Sequence, residues 1–349
     1  MAGGFGSRFW PMSKADNPKQ FVDIMGTGES MLQTTFRRFE KICPRENIII
    51  VTGQAYEDKV REQLPNLLPY QVLSEPMRRN TAPCVAYAGA IIQELNPDAN
   101  IVVTPSDHAV FGESKFIDNI VDALSITAKN PWIITIGARP VNPNTKYGYI
   151  QFQEKPSLPN MNNLHKVVTF TEKPPIEMAR QFIASGEFFW NSGLFVWSLK
   201  TLRQAYSEYL PNIANAFFAI NNRTQQEEID RVYSTSQAIS IDFGIMEKAP
   251  NVHVMEAAFG WSDVETWDSL SNTCIKDPNG NAIVSGNVFA YDVKNCVVHI
   301  PADKTVVLQG MKDYIVAGDK DTLLICKKSQ EDKIVKFASD VDLKRILGK

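Results

Sequence analysis

The sequence predicts an α/β protein. A mainly parallel mixed sheet flanked by helices is expected over residues 1–277, and a small all-β module over 278–349. Three observations carry this reading. Short β-branched runs alternate with helix-spaced apolar patterns up to about residue 270. Several of those runs are apolar at consecutive positions, as strands covered on both faces are. Beyond about residue 280, paired apolar residues recur with no helix-length pattern between them.

Taken in order, Met31 to Ile42 places apolar residues at 31, 32, 36, 39 and 42 and reads as a helix. Asn47 to Thr52 reads as a buried strand. Thr81 to Leu95 reads as a helix with Thr81 as its cap candidate and Pro83 in its first turn. Asn100 to Thr104 and Trp132 to Gly137 are the next strands, and the alternation gives βαβ units. Tyr147–Phe152, Lys166–Phe170 and Gly193–Trp197 form a second strand group, with helices near 176–184 and 199–218. The polar stretch Asn221 to Asp230 reads as a solvated turn or helix face. In the last segment the pairs Val297/Val298, Val306/Val307, Ile315/Val316 and Leu323/Leu324 fit either stacked rungs or a meander. The turn signal Asp277-Pro-Asn-Gly280 marks the boundary.

Composition narrows the function classes. With 36 basic and 39 acidic residues, the formal charge of −3 argues against a broad basic surface for nucleic acid. Five cysteines at 43, 84, 274, 296 and 326 form no CxxC pair and read as reduced thiols. The longest uncharged apolar run, Ala82 to Ile92, is about half a membrane span, and no secretory signal is visible. The expected compartment is the cytoplasm, without a membrane or nucleic-acid partner.

Residues 3 to 20 read GGFGSRFWPMSKADNPKQ. A Walker loop needs a lysine after its last glycine, and a dinucleotide loop needs a third glycine where Arg8 and Phe9 stand; both fail. A tight turn fits the glycines. So does a polyphosphate cradle of glycine-exposed N–H groups, with the fork of Arg8 and the point charge of Lys19. Asp107, in Thr104-Pro-Ser-Asp-His108, follows a strand at the end where α/β sheets bind ligands, so it reads as a metal ligand or as a helix cap. Asp263 follows a second strand. It is either a first-turn acid beside a Ser262/Glu265 capping box or a second metal carboxylate. Glu172-Lys173-Pro174 reads as an exposed ion pair or a sugar-phosphate contact. Asn191, among aromatics, reads as a turn residue or a sugar ligand.

The run Ala2-Gly-Gly-Phe-Gly-Ser-Arg-Phe-Trp-Pro-Met-Ser13 with Asn17-Pro-Lys-Gln-Phe21 resembles the signature of the sugar-1-phosphate nucleotidyltransferases. Its Phe-Trp-Pro and Pro-Lys-Gln-Phe forms are similar to the mannose-1-phosphate guanylyltransferases. Further matching motifs follow in family order: Glu75 to Pro83, Pro105 to His108, Tyr147 to Ile150, Phe170 to Pro174, Trp190 to Leu194, Ser240 to Lys248 and Gly260 to Val264. The resemblance covers roughly residues 1 to 270. It implies a Rossmann-like nucleotidyltransferase fold, with a nucleotide half over about 1–140, a sugar-phosphate half over about 141–277, and a short left-handed β-helix at the end.

The reaction implied is attack of mannose 1-phosphate on the α-phosphorus of GTP, giving GDP-mannose and pyrophosphate. By resemblance, Arg8 and Lys19 are the catalytic cations, and Gly3, Gly4, Gly6 and Ser7 form the nucleotide loop. Arg79, Asn80 and Thr81 meet the guanosine, Asp107 and Asp263 hold Mg²⁺, and Gly148, Glu172, Lys173 and Asn191 meet the sugar phosphate. The chain is too short beyond 280 for the isomerase domain that some relatives carry, so no isomerase activity is expected. By analogy the β module supports a homodimer. Competing readings are another sugar or base, a catalytically silent regulatory subunit, and, more remotely, a dinucleotide-dependent oxidoreductase. In this family the glycine loop follows a buried strand of about six apolar residues, whose end Met1-Ala2 would occupy. The resemblance therefore implies residues ahead of Met1, and a slot in the sheet beside the Ile101 strand that is empty or differently filled.

Overall fold

The computed structural model describes residues 1–4, 7–220 and 226–346. It divides into two compact units. The first comprises Met1–Gly3, Arg38–Pro105 and Val110–Trp261; the second comprises Gly4–Arg37, Ser106–Ala109 and Ser262–Lys349.

Helix α1 (Met31–Phe39) ends as the chain enters the first unit. There follow β1 (Ile50–Gly53), α2 (Glu57–Gln63), β2 (Val72–Glu75) and α3 (Thr81–Leu95). Strand β1 starts later than the apolar run because Arg45–Asn47 forms a 3₁₀ turn after Pro44. Asn80, not Thr81, caps α3. Its left-handed backbone (φ 67°) lets the side chain accept from Thr81 N. Next come β3 (Asn100–Val103), β4 (Ala109–Phe111), α4 (Glu113–Thr127) and β5 (Ile133–Ala138). Every residue of β5 is buried, as befits a central strand covered on both faces. At Gly137 a Cβ would lie 2.6 Å from Val254 and 2.7 Å from Phe189, so only glycine fits.

The hairpin β6 (Gly148–Leu158) and β7 (Met161–Glu172) is longer than its apolar runs, then come α5 (Ile176–Ser185) and β8 (Phe188–Ser198). The expected 199–218 helix is two, α6 (Leu199–Tyr209) and α7 (Pro211–Phe218). Leu210 precedes a proline and leaves the helical region at φ −136°, ψ 55°. Of the polar stretch 221–230, residues 221–225 lie outside the described residues and the rest opens α8 (Gln226–Thr235). A single π-turn, Asp242–Met246, precedes β9 (Val252–Glu256) and β10 (Gly260–Ser262).

The main sheet has the order β3-β8-β5-β9-β7-β6, with β6 also paired to β8. Strands β3, β5, β9 and β6 share one direction, while β7 and β8 run against it; only β5–β9 is a parallel neighbour pair. Strands β1 and β2 form a separate parallel ladder. Met1 and Ala2 link β1 to the end of β3: Ala2 N donates to Val51 O (2.7 Å) and Met1 N to Thr104 O (2.8 Å). On the α3 side of the sheet, Trp197, Tyr206, Phe217 and Tyr233 are fully buried in one core.

In the second unit, α9 (Trp267–Thr273) leads into β11 (Ala282–Ser285), β12 (Asn287–Tyr291), β13 (Val297–His299), β14 (Thr305–Gln309), β15 (Tyr314–Gly318) and β16 (Leu323–Lys327). Strands β11, β13 and β15 stack in parallel, and so do β12 and β14. That is the rung pattern of a short β-helix, not a meander; β16 closes it antiparallel to β15. The module is not all β. It ends in α10 (Ile334–Ile346), whose Ile334, Phe337, Ala338 and Val341 pack on the core. That core also contains Phe9, Trp10, Ile24 and Met31 from the glycine-loop segment, together with Val264 and Trp267.

Candidate active site

Lys19 sits on a short 3₁₀ turn behind Pro18, with only 6% of its side chain exposed. An ammonium has three protons and no acceptor. Its Nζ contacts Asp263 O at 2.7 Å, Val264 O at 3.2 Å and Asp107 Oδ2 at 3.0 Å. Two successive carbonyls converge on one cation because Val264 adopts φ +45°, an outlier for a β-branched residue. Burial alone would raise the Asp107 carboxyl. The charges of Lys19 and the adjacent His108 more than offset it and hold it below its ordinary value.

Neither aspartate caps a helix. Gly112 is the N-cap of α4, and Thr266 caps α9, accepting from Ser269 N while the Ser269 side chain answers Thr266 N. The expected Ser262/Glu265 capping box is therefore displaced by one turn. Ser262 Oγ instead accepts from Val264 N (3.1 Å), Asp263 Oδ1 accepts from Glu265 N (3.3 Å), and Glu265 forms an ion pair with Arg8. Arg8 is half exposed.

Asp107 and Asp263 both adjoin Lys19 and supply hard oxygen donors that suit Mg²⁺. Among the described residues no group of three or more His, Cys, Asp or Glu is placed to hold a metal. Carboxylate oxygens are the donors Mg²⁺ takes, usually one or two of them with substrate phosphate completing the shell. Of the glycine loop, a Cβ on Gly4 would lie 3.9 Å from Asp107 Oδ2. Gly6 lies outside the described residues, as does the side chain of Ser7, whose backbone opens the turn Ser7–Phe9.

In the first unit, a Cβ on Gly3 would lie 3.5 Å from Glu75 Oε2, and Tyr233 Oη donates to Glu75 Oε1 (3.1 Å). Burial pushes the Glu75 carboxyl up to about 7, with the Tyr233 hydrogen bond and Arg78 pulling the other way. Sequence reasoning gave Glu75 no role; its signal was only the Glu-Pro of a family motif. The guanidinium of Arg79 is committed to the protein, donating to Tyr233 O (2.9 Å) and Ser234 O (3.0 Å). Thr81 Oγ1 accepts from Ile241 N (2.8 Å), which fastens the start of α3 to the segment carrying Asp242.

The residues expected on the sugar side do come together. Gly148 pairs with Glu172 across β6 and β7, and a Cβ at Gly148 would lie 2.5 Å from Glu172 Oε2 and 3.5 Å from Asn191 Cβ. Lys173 has φ +48° and its Nζ meets Glu172 Oε1 at 2.9 Å; both side chains are more than half exposed. A bulge in β8 aims Asn191: Thr135 faces Phe195 while Gly137 faces Asn191, with Gly193 at φ +70° between. The Asn191 amide donates to Asp242 Oδ1 (2.7 Å) and accepts from Gly193 N (3.1 Å). Asp242 joins this cluster through Asn191, and sequence reasoning gave it no role although its motif was noted. Burial raises its carboxyl above the usual range despite the Asn191 hydrogen bond.

The nucleotidyl transferase family matches residues 1–279. The chain is 30% identical to an Escherichia coli mannose-1-phosphate guanylyltransferase, over 98% of this chain and 75% of that protein. It is 35% identical to one from Salmonella montevideo, over 98% and 73%. The crystal structure of a Thermus thermophilus protein described as a mannose-1-phosphate geranyltransferase superposes with a TM-score of 0.86 at 28% identity, covering 98% of both chains.

Proposed function

Because this chain belongs to the nucleotidyl transferase family, we propose that it transfers GMP from GTP to mannose 1-phosphate in the cytoplasm, releasing pyrophosphate. The observation that carries the chemistry is Lys19 bracketed by Asp107 and the Asp263–Val264 carbonyls. The choice of sugar and base rests on the relatives.

The attacking sugar phosphate is ionised at neutral pH, so no general base is needed. The barrier lies in bringing two polyanions into line, and positioning with preorganised charge lowers it. Arg8, half exposed and on the glycine loop, takes the triphosphate oxygens as a bidentate fork. Lys19 holds charge beside Asp107 and fixes the turn that presents Asp263. Asp107 and Asp263 would hold Mg²⁺, which when bound screens phosphate charge. Gly3 and Gly4 let backbone N–H groups approach the nucleotide, as Gly6 and Ser7 do by resemblance. Arg79, Asn80 and Thr81 brace the guanosine side, Arg79 through its carbonyl contacts and Asn80 as the cap of α3. Glu172 and Asp242 accept sugar hydroxyls, Asn191 fixes Asp242, and Lys173 meets the sugar phosphate. The functional form is a homodimer; Phe289, Tyr291 and Val307 leave an exposed apolar strip on β12 and β14 for a second copy.

The test is Mg²⁺-dependent pyrophosphate release by purified protein. The panel crosses GTP, ATP, UTP, CTP and dTTP with mannose, glucose and N-acetylglucosamine 1-phosphates. GTP with mannose 1-phosphate should exceed every other pair and stop on addition of EDTA. A different best pair would overturn the substrate assignment. No turnover with any pair would favour the silent regulatory reading.

A further inference from the structure

The segment carrying Lys19 is fastened on both sides to the C-terminal β module. Before it, Lys14 and Asn17 exchange backbone hydrogen bonds (both 3.1 Å) in a closed turn, and the Lys14 ammonium forms an ion pair with Asp319. The two side chains are 29% and 22% exposed, so solvent screens the pair less than an open surface bridge. Asp319 is itself rigid. Its Oδ1 accepts from Asp321 N (2.9 Å) and Thr322 N (2.8 Å) in the turn between β15 and β16, leaving Oδ2 for Lys14. After Lys19, the Asp23 carbonyl lies 3.0 Å from His299 Nε2 at the end of β13, so that nitrogen carries the hydrogen. Further on, Gly26 (φ +67°) lies so close to β11 that a Cβ would be 2.2 Å from Val284 O.

Between these fastenings the chain has little freedom. Phe21 N bonds Pro18 O (2.9 Å) and Val22 N bonds Lys19 O (3.1 Å). A displacement at Lys14 or Asp23 is therefore transmitted to the Lys19 backbone.

We propose that Asp319 and His299 of the β module are positioning residues for the transfer reaction, acting through Lys19. This rests on the role given to Lys19 above. The groups that Lys19 fixes, Asp107 and the Asp263 turn, lose their value when misplaced: an error of about 1 Å costs as much as ~10²-fold in rate. The module is thus part of the catalytic apparatus, not only a cover for an apolar core.

The test is a cycle of Asp319→Asn, Lys19→Ala and the double variant, with Lys14→Met as a second break of the same ion pair. Asp319→Asn should lower kcat about tenfold with KM for GTP and the melting temperature little changed. In the Lys19→Ala background Asp319→Asn should add almost nothing, because both act through one group. Lys14→Met and His299→Phe should both behave as Asp319→Asn does. Equal losses in both backgrounds, or an unchanged kcat in Asp319→Asn, would overturn the inference. A fully active Lys19→Ala would instead overturn the reading of Lys19, whatever Asp319→Asn does.

Discussion

Lys19 commits its three protons inside the protein, and that decides what its removal does. Lys19→Ala is expected to cut turnover about 10²-fold, because the turn presenting Asp263 and the charge beside Asp107 lose their fastening and a misplacement of about 1 Å costs that much. Pyrophosphate release checks this, with a thermal melt to show that the variant folds; a folded variant at full rate would exclude Lys19 from the chemistry. Gly148→Ala separates binding from stability. Its Cβ would meet chiefly the end of the exposed Glu172 side chain, so the melt should hardly move while KM for the sugar phosphate rises about tenfold or more. An unchanged KM would leave Glu172 outside the sugar site. Glu75 gives a pH signature. Its folded pKa of about 7 lies above the ordinary 4.5, so the folded chain keeps a proton that the unfolded chain releases. Stability contributed there is present below about 4.5 and declines as pH rises to about 7. Glu75→Gln should therefore raise the melting temperature at pH 8 relative to the parent and leave it nearly unchanged at pH 4.5. Parallel melting curves for the two proteins across that range would sink this account.

At the scale of elements, local chemistry was legible where it is short-ranged. Helix α3 spans the very residues its apolar spacing marks, and β13 to β16 fall on the four apolar pairs. What misled the reading was competition between nearby caps. Ser262 with Glu265 and Thr266 with Ser269 both look like helix starts, and the second wins because Glu265 is drawn to Arg8. Thr266→Ala should accordingly cost about 1 kcal/mol in urea unfolding, the usual worth of an N-cap, whereas Ser262→Ala should leave the start of α9 intact. Loss of α9 helicity in Ser262→Ala alone would reverse that assignment. Helix α10 went unread because its few core contacts, Ile334 to Val341, give a weak amphipathic signal.

For the whole molecule, the second unit is assembled from three stretches of chain, and the β module buries Phe9, Trp10, Ile24 and Met31 beside its own Val297, Ile315 and Leu324. A truncation at Asp277 removes one side of that core. The fragment 1–277 is expected to be aggregated or inactive, and its size-exclusion profile and GTP turnover check this. A monodisperse, active fragment would show that the module is dispensable. The sequence by itself determined the fold class, the places of α3 and of β13 to β16, and the candidate charges, because apolar period and motif spacing are local properties of a chain. Only the tertiary structure decided that the glycine-loop segment shares a core with the module, that Lys19 is held by two carbonyls and Asp107, and that burial raises the Asp242 and Glu75 carboxyls. Those facts depend on contacts between residues far apart in the chain, and on the φ +45° turn at Val264 that no local propensity favours.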